Sequence, residues 1–187
     1  SISFHDHHPD LHSPKRELET AKIFFKKLHK MFPKMYLLDS NHGSLVFRKA
    51  TRHGIPHDLF KSYNDMLGVG PGWTWHEDLI IKASNGQNIY FCHGKYKDVI
   101  KVAQQYGMCT CQGHYHTSYN IQYWSNPNEL LWGCQTGCLI NMKSLAFEYN
   151  KLQKSRPVIG TGVIIDGLPR LIPMVLKQNG RWNRKIT

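Results

Sequence analysis

Histidines 114 and 116 stand one residue apart in "GHYH", directly after a glycine and inside a hydrophobic neighbourhood. Two other places share the habit. "LLDSNHG" ends in Asn41-His42, and "IYFCHG" ends in His93. Each of the three closes a short apolar run, so imidazole or amide side chains are delivered where a strand stops. Neutral imidazole binds divalent transition metals well, and an amide oxygen suits a hard cation such as Mn²⁺. A single histidine at a strand end is most simply structural. Three strand ends with the same habit point to a metal claw.

The elements that must hold these residues are readable from period and punctuation. "SPKRELETAKIFFKKLHKMF" is expected to be a helix, with Ser13 as N-cap, Pro14 at the first position and Leu18, Ala21, Phe25 and Leu28 at helical spacing. "KMYLLDSNHG" reads as a buried strand broken at Gly43, and "SLVFRKATRHG" contains a helix. "WHEDLIIKASNGQNIYFCHG" reads as two strands joined at Asn85-Gly86. "KDVIKVAQQYG" is a helix closed by Gly107, and "MCTCQGHYH" is a strand running to the histidine pair. "IQYW", "LLWGCQTG", "VIGTGVIID" and "RLIPMVL" follow as strands, the last two joined by "DGLP". Helices come early and strands late, which gives an α/β class. Open α/β sheets place their sites at the carboxyl ends of strands, where these side chains fall. With no repeat and no linker, residues 1–187 are expected to form a single domain.

The chain carries a formal net charge of +11, with clusters at "KKLHK", "FRKATR" and "RWNRK". Such a balance favours polyanions, and DNA is the expected partner. The five cysteines include the pairs Cys109/Cys111 and Cys134/Cys138, and they read as buried free thiols, not a disulfide framework. No run approaches the length of a membrane span and no signal peptide opens the sequence, so a cytoplasmic protein is expected.

The order Asn-His, then a lone His, then Gly-His-x-His resembles the calcineurin-like metallophosphoesterases. Their usual signature runs Asp-x-His, Gly-Asp-x-x-Asp, Gly-Asn-His-(Asp/Glu), His, Gly-His-x-His. "SNHG", "FCHG" and "GHYH" match the last three. "SFHDHHPDLHSP", "DSNHGSLVFRKATRHGIP", "GWTWHEDL" and "RPVIGTGVIIDG" are similar to a bacteriophage-encoded branch of that superfamily, so the resemblance covers essentially the whole chain. It implies a sandwich of two mixed β-sheets flanked by helices. It makes Asn41, His93 and His114 ligands of one metal, His116 a ligand of the other, and His42 the non-ligand histidine that assists the leaving oxygen. The implied cation is Mn²⁺, with Mg²⁺, Ni²⁺, Fe²⁺ and Zn²⁺ as alternatives. Two such cations lower the pKa of a bridging water and stabilise an in-line displacement. An imidazolium beside the leaving alkoxide adds a further factor of roughly 10²–10⁴.

The sequence also departs from the family pattern. Ser40 stands where glycine is usual and Gly43 where an acid is usual. Neither Asp-x-His nor Gly-Asp-x-x-Asp precedes Asn41. The expectation is therefore an amino-terminally incomplete metallophosphoesterase domain lacking its opening strands, with those strands supplied by another polypeptide or by upstream sequence, or the exposed sheet edge met by self-association. His5, Asp6, His7, His8 and Asp10 read as a loop at the site mouth, not a replacement ligand set. Asp39 reads as a turn residue. Arg48, Lys49 and Arg52 are positioned to meet substrate phosphates, or else form a solvated face. Trp73 and Trp75 read as packing residues before base-stacking ones, and Tyr115 is expected to point away from the metals. The function expected is phosphodiester hydrolysis of DNA, by a nuclease or nickase of a phage-infected cell. A small-substrate phosphatase, and a disarmed module binding nucleic acid or protein, are the alternatives.

Overall fold

Apolar residues at helical spacing after Pro14 form α1 (Pro14–Met31). The computed structural model describes residues 14–140 and 155–186; Ser13 and the His5–Asp10 cluster lie outside the described residues. The chain divides into two compact units, Ser1–Glu77 and Asp78–Thr187.

In the first unit α1 is followed by β1 (Met35–Leu38), α2 (Leu45–Arg52), a 3₁₀ turn at His57–Leu59, α3 (Tyr63–Leu67) and β2 (Trp73–His76). β1 and β2 pair in parallel, with Met35 opposite Trp73 and Leu38 opposite His76. Trp73 is 1 % exposed. Its ring meets Phe25 and His29 of α1 edge-on, at centroid separations of 6.0 and 5.5 Å. Its indole N–H donates to the carbonyl of Phe32 at 2.7 Å, so the polar end of a buried ring is satisfied. Gly72 is required beside it, because a Cβ there would stand 2.2 Å from the Pro33 carbonyl oxygen. α2 buries Leu45, Phe47 and Ala50, and Phe47 is ringed by His57, Phe60 and Tyr63.

Two expectations need correction in this unit. β1 is half-buried rather than buried, since strand alternation turns Tyr36 outward and leaves it 65 % exposed. The run "WHEDLIIK" is not one strand. β2 stops at His76, and a new strand in a different sheet starts at Asp78. The alternation of apolar residues continues across Glu77, so period alone does not mark the break.

The second unit contains β3 (Asp78–Lys82), β4 (Asn88–Cys92), α4 (Val99–Tyr106), β5 (Cys109–Gln112), β6 (Tyr119–Ser125), β7 (Leu130–Thr136), β8 (Gly160–Ile165) and β9 (Leu168–Pro173). Five of the strands form a mixed sheet in the order β3-β4-β5-β7-β6. β4, β5 and β7 are parallel, and the two outer strands are antiparallel to their neighbours. Successive residues of β4 serve opposite faces. Ile89 joins Cys109, Trp132 and Cys134, against which Ile164 and Leu171 of the β8–β9 hairpin pack. Tyr90 and Cys92 join Val102 of α4. At Gly133 of β7 a Cβ would lie 2.9 Å from the backbone of Val99, so α4 rests directly on the sheet. Asp166 and Gly167 both have positive φ, 49° and 77°, as the two-residue turn of the β8–β9 hairpin demands. Gly107, at φ 60°, closes α4 in the left-handed conformation.

The class is therefore α/β, with a five-stranded mixed sheet. All five cysteines are free thiols, and Cys92, Cys109 and Cys134 are buried. Among the described residues no helix is long and apolar enough to cross a membrane.

Candidate metal centre

The first cluster of expected site residues sits on a turn between β1 and α2. Asp39 fixes its entry. Its Oδ1 accepts from the Ser40 amide at 2.8 Å and from the Tyr63 hydroxyl at 3.0 Å. Ser40 then organises the rest: its hydroxyl accepts from the Gly43 amide at 2.9 Å, and its carbonyl accepts from the Ser44 hydroxyl at 2.8 Å. Asn41 and His42 fall at the tip with exposed side chains. Arg48 spans back from α2, donating through Nη2 to the Asn41 carbonyl and through Nε to the Ser44 hydroxyl at 3.2 Å. It is thus a brace of the turn. Lys49 and Arg52 are exposed on the same helix. Burial first, then the hydrogen bond and charge of Asp39, hold the Tyr63 phenol far above its ordinary pKa, so it remains a donor to that carboxylate.

The second cluster lies at the carboxyl ends of β4 and β5, in the other compact unit. His93 follows β4 directly, and its carbonyl accepts from the Gly113 amide at 3.1 Å, which ties the two strand ends together. His114 is the centre of a three-residue turn: the Tyr115 amide donates to the Gly113 carbonyl at 2.7 Å, and His114 has φ +65°. That is the rarer and more strained γ-turn, and strain of this kind in a non-glycine residue collects at functional sites. The result is a facing pair. His114 Nδ1 lies 3.1 Å from His93 Nε2, with the rings 69° apart in plane. Two imidazole nitrogens on one tetrahedral cation, each about 2.0–2.1 Å from it, would stand roughly 3.3 Å apart. The spacing therefore fits two ligands of a single ion. With one shared proton the same pair is a hydrogen bond.

Two neighbours hold the pair in place. A Cβ on Gly94 would meet His114 Cβ at 2.6 Å and Cγ at 3.0 Å, so the ring lies in the space that glycine leaves. Gln112, 1 % exposed in β5, accepts from the Lys95 amide at 3.2 Å and donates to the Tyr96 carbonyl at 2.7 Å. A buried amide so paired pins the loop that leaves His93. Tyr115 lies edge-on against the His114 ring at 4.8 Å, so it packs on that imidazole. His116 is half-buried, with its carbonyl accepting from the Val158 amide at 2.8 Å. Among the described residues no group of three His, Cys, Asp or Glu side chains gathers.

Of the sites expected from sequence, His93 and His114 are brought into contact, and Asn41 and His42 share one braced turn in the other unit. Trp73 is core, as the packing reading required. Trp75 donates its indole N–H to Asn64 at 2.8 Å and lies tilted against the Tyr63 ring at 4.4 Å, which leaves it engaged within its own unit. Sequence reasoning gave no role to Gly94, Gln112 or Tyr63. Gly94 stood inside a quoted motif, "FCHG", and its small size was the available signal; Tyr63 lies 24 positions from Asp39 and carried none. No family model matches this chain, and no curated protein is similar to it at a significant level.

Proposed function

We propose that this chain is a metal-dependent phosphoester hydrolase of the calcineurin-like metallophosphoesterase type, cleaving DNA as a nuclease or nickase in the cytoplasm of a phage-infected cell. The carrying observation is the His93–His114 pair, two imidazole nitrogens 3.1 Å apart at adjacent strand ends. The finer architecture that goes with this reading is the family's two-sheet sandwich. His93 and His114 would hold one cation, Mn²⁺ in the first instance; the motifs imply Asn41 as a further ligand of that ion and His116 as a ligand of a second. When bound, the cation supplies Lewis-acid stabilisation of a phosphoryl oxygen and a more acidic water.

The chain's own residues would do the remainder. The strained turn at His114 keeps its Nδ1 aimed at His93, so the ligand geometry is set before a cation arrives. His42, exposed on the tip of its turn, would give a proton to a leaving oxygen. Arg48 and Asp39 keep that turn from collapsing, and Lys49 and Arg52 lend positive charge for a phosphodiester backbone. A second reading has a specific observation behind it. The net charge of +11, with Lys49 and Arg52 exposed on α2, suits a polyanion whether or not a cation sits at the histidine pair. That favours a disarmed module that binds nucleic acid through its charge.

Nicking of supercoiled plasmid in Mn²⁺ tests the proposal. The wild-type chain is expected to nick, and both His42→Ala and His114→Ala to lose at least about 100-fold of the rate. Absence of nicking by the wild-type chain, together with retention of the plasmid in a gel shift, would replace the hydrolase with the binding module. Release of phosphate from nucleotides without nicking would replace DNA with a small substrate.

A further inference from the structure

The sheet of the first unit is short of partners. Parallel strands are ordinarily found in wide sheets with both faces covered. Among the described residues two strands of four residues make up this sheet. The outer edge of β2 is partly occupied: Asn64 Nδ2 donates to the Trp73 carbonyl at 2.9 Å, and the Trp73 amide donates to the Gly70 carbonyl at 3.3 Å. The outer edge of β1 is different. Its odd-numbered residues face β2, because the Met35 amide donates to the Gly72 carbonyl at 3.0 Å and the Asp39 amide to the His76 carbonyl at 2.7 Å. The N–H and C=O of Tyr36 and Leu38 therefore point the other way. Among the described residues no strand pairs with them. Beside them the Tyr36 ring is 65 % exposed, held edge-on to His76 at 5.9 Å.

We propose that the outer edge of β1 is an acceptor for an extended, acid-bearing strand of another polypeptide. An open edge with an exposed aromatic beside it is the platform for strand addition, in which backbone hydrogen bonds give affinity and alternate side chains give selectivity. Charge chooses the occupant. α1, whose Phe25 and His29 pack on β2, carries six basic residues (Lys15, Arg16, Lys22, Lys26, Lys27, Lys30) against Glu17 and Glu19. Lys34 directly precedes β1, and the whole chain is at +11. A second copy would bring like charge to this edge, whereas an acidic strand is drawn to it. The inference stands whether or not the histidines hold a metal.

The test uses a fluorescein-labelled ten-residue peptide of alternating valine and glutamate, a matched valine–lysine peptide, and fluorescence anisotropy. Tyr36→Pro removes the outward N–H and leaves every β1–β2 hydrogen bond in place, so it blocks addition without breaking the sheet. The valine–glutamate peptide is expected to bind the wild-type chain at least tenfold more tightly than the valine–lysine peptide. It is also expected to bind Tyr36→Pro at least tenfold more weakly, with the variant's melting unchanged. Equal binding to the folded variant, or by the two peptides, would overturn the proposal. So would a wild-type dimer in sedimentation that Tyr36→Pro converts to monomer, since the edge would then belong to a second copy. Should Tyr36→Pro fail to fold, amide exchange on the wild type decides. Protection of Tyr36 and Leu38 on adding the valine–glutamate peptide is expected, and unaltered exchange at both would refute the assignment.

Discussion

Gly94→Ala is the sharpest perturbation of the claw, because it changes one methyl group and touches one ring. The new Cβ would lie 2.6 Å from His114 Cβ, 3.0 Å from Cγ and 3.2 Å from Cδ2. Ordinary carbon–carbon contact is about 3.5–4.0 Å, so the overlap is about 1 Å. Gly94 is not among the residues with positive φ, so alanine meets no backbone strain of its own and the cost falls on the contact. Either the His114 ring shifts outward or the loop after β4 lifts. Overpacking of this size costs about 1–3 kcal/mol of stability. A shift of about 1 Å would open the 3.1 Å separation between His114 Nδ1 and His93 Nε2 beyond what one cation spans. Disturbing the support of a ligand typically weakens metal binding about 10–100-fold. Calorimetric titration with Mn²⁺ measures this directly, and broadening of the His93 and His114 ring resonances shows where the ion sits. Gly113→Ala is the control, since its nearest neighbour, the His93 carbonyl oxygen, would be an unremarkable 3.7 Å away. Mn²⁺ binding by Gly94→Ala at wild-type strength, with His114→Ala binding lost, would refute the steric argument. Wild-type binding by both variants would show that the pair is not the metal's seat.

Two further outcomes follow from single contacts. Tyr63→Phe removes the hydroxyl that donates to Asp39 and should cost about 1–2 kcal/mol, with faster amide exchange at Gly43 and Ser44 on the Asn41–His42 turn; unchanged exchange there would show that Ser40 holds the turn alone. Burial pushes the Cys92 thiol up to about 11, so the folded state keeps its proton longer than the unfolded state. Its contribution to stability is complete below about pH 9 and is lost as pH rises to about 11, so Cys92→Ala should flatten the alkaline fall in stability by up to about 1.4 kcal/mol per pH unit, as urea titrations at several pH values will show.

The elements of this chain were legible where the signal was local. Asn85-Gly86, Asp166-Gly167 and Gly107 each demand a particular backbone, and each ends or turns an element as read. The strand β2 was missed as a separate element because its alternation flows into β3 through Glu77. Only the exchange of β1 for β4 as pairing partner separates them, and that is a long-range fact. The site shows the same division. Histidine types and positions at strand ends were visible, but the contact between His93 and His114 depends on a hydrogen bond between two strand ends and on a missing side chain at Gly94.

The turn at His114 shows why pattern alone could not have supplied the rest. A residue with a Cβ pays for φ +65°, and the usual choice at such a position is glycine or asparagine. The adjacent Gly113 could have taken that conformation at no cost, yet the positive φ falls on the histidine. Moving it to Gly113 would relieve the strain and change the direction in which the imidazole leaves the backbone. Strain retained where relief is one residue away is a constraint on direction, since a ring that only filled space would gain nothing from it. The same logic separates His114 from His42. The Asn41–His42 turn is braced by Asp39, Ser40 and Arg48, with neither tip residue at positive φ. The backbone strain therefore falls on the histidine proposed as a metal ligand and not on the one proposed as a proton donor.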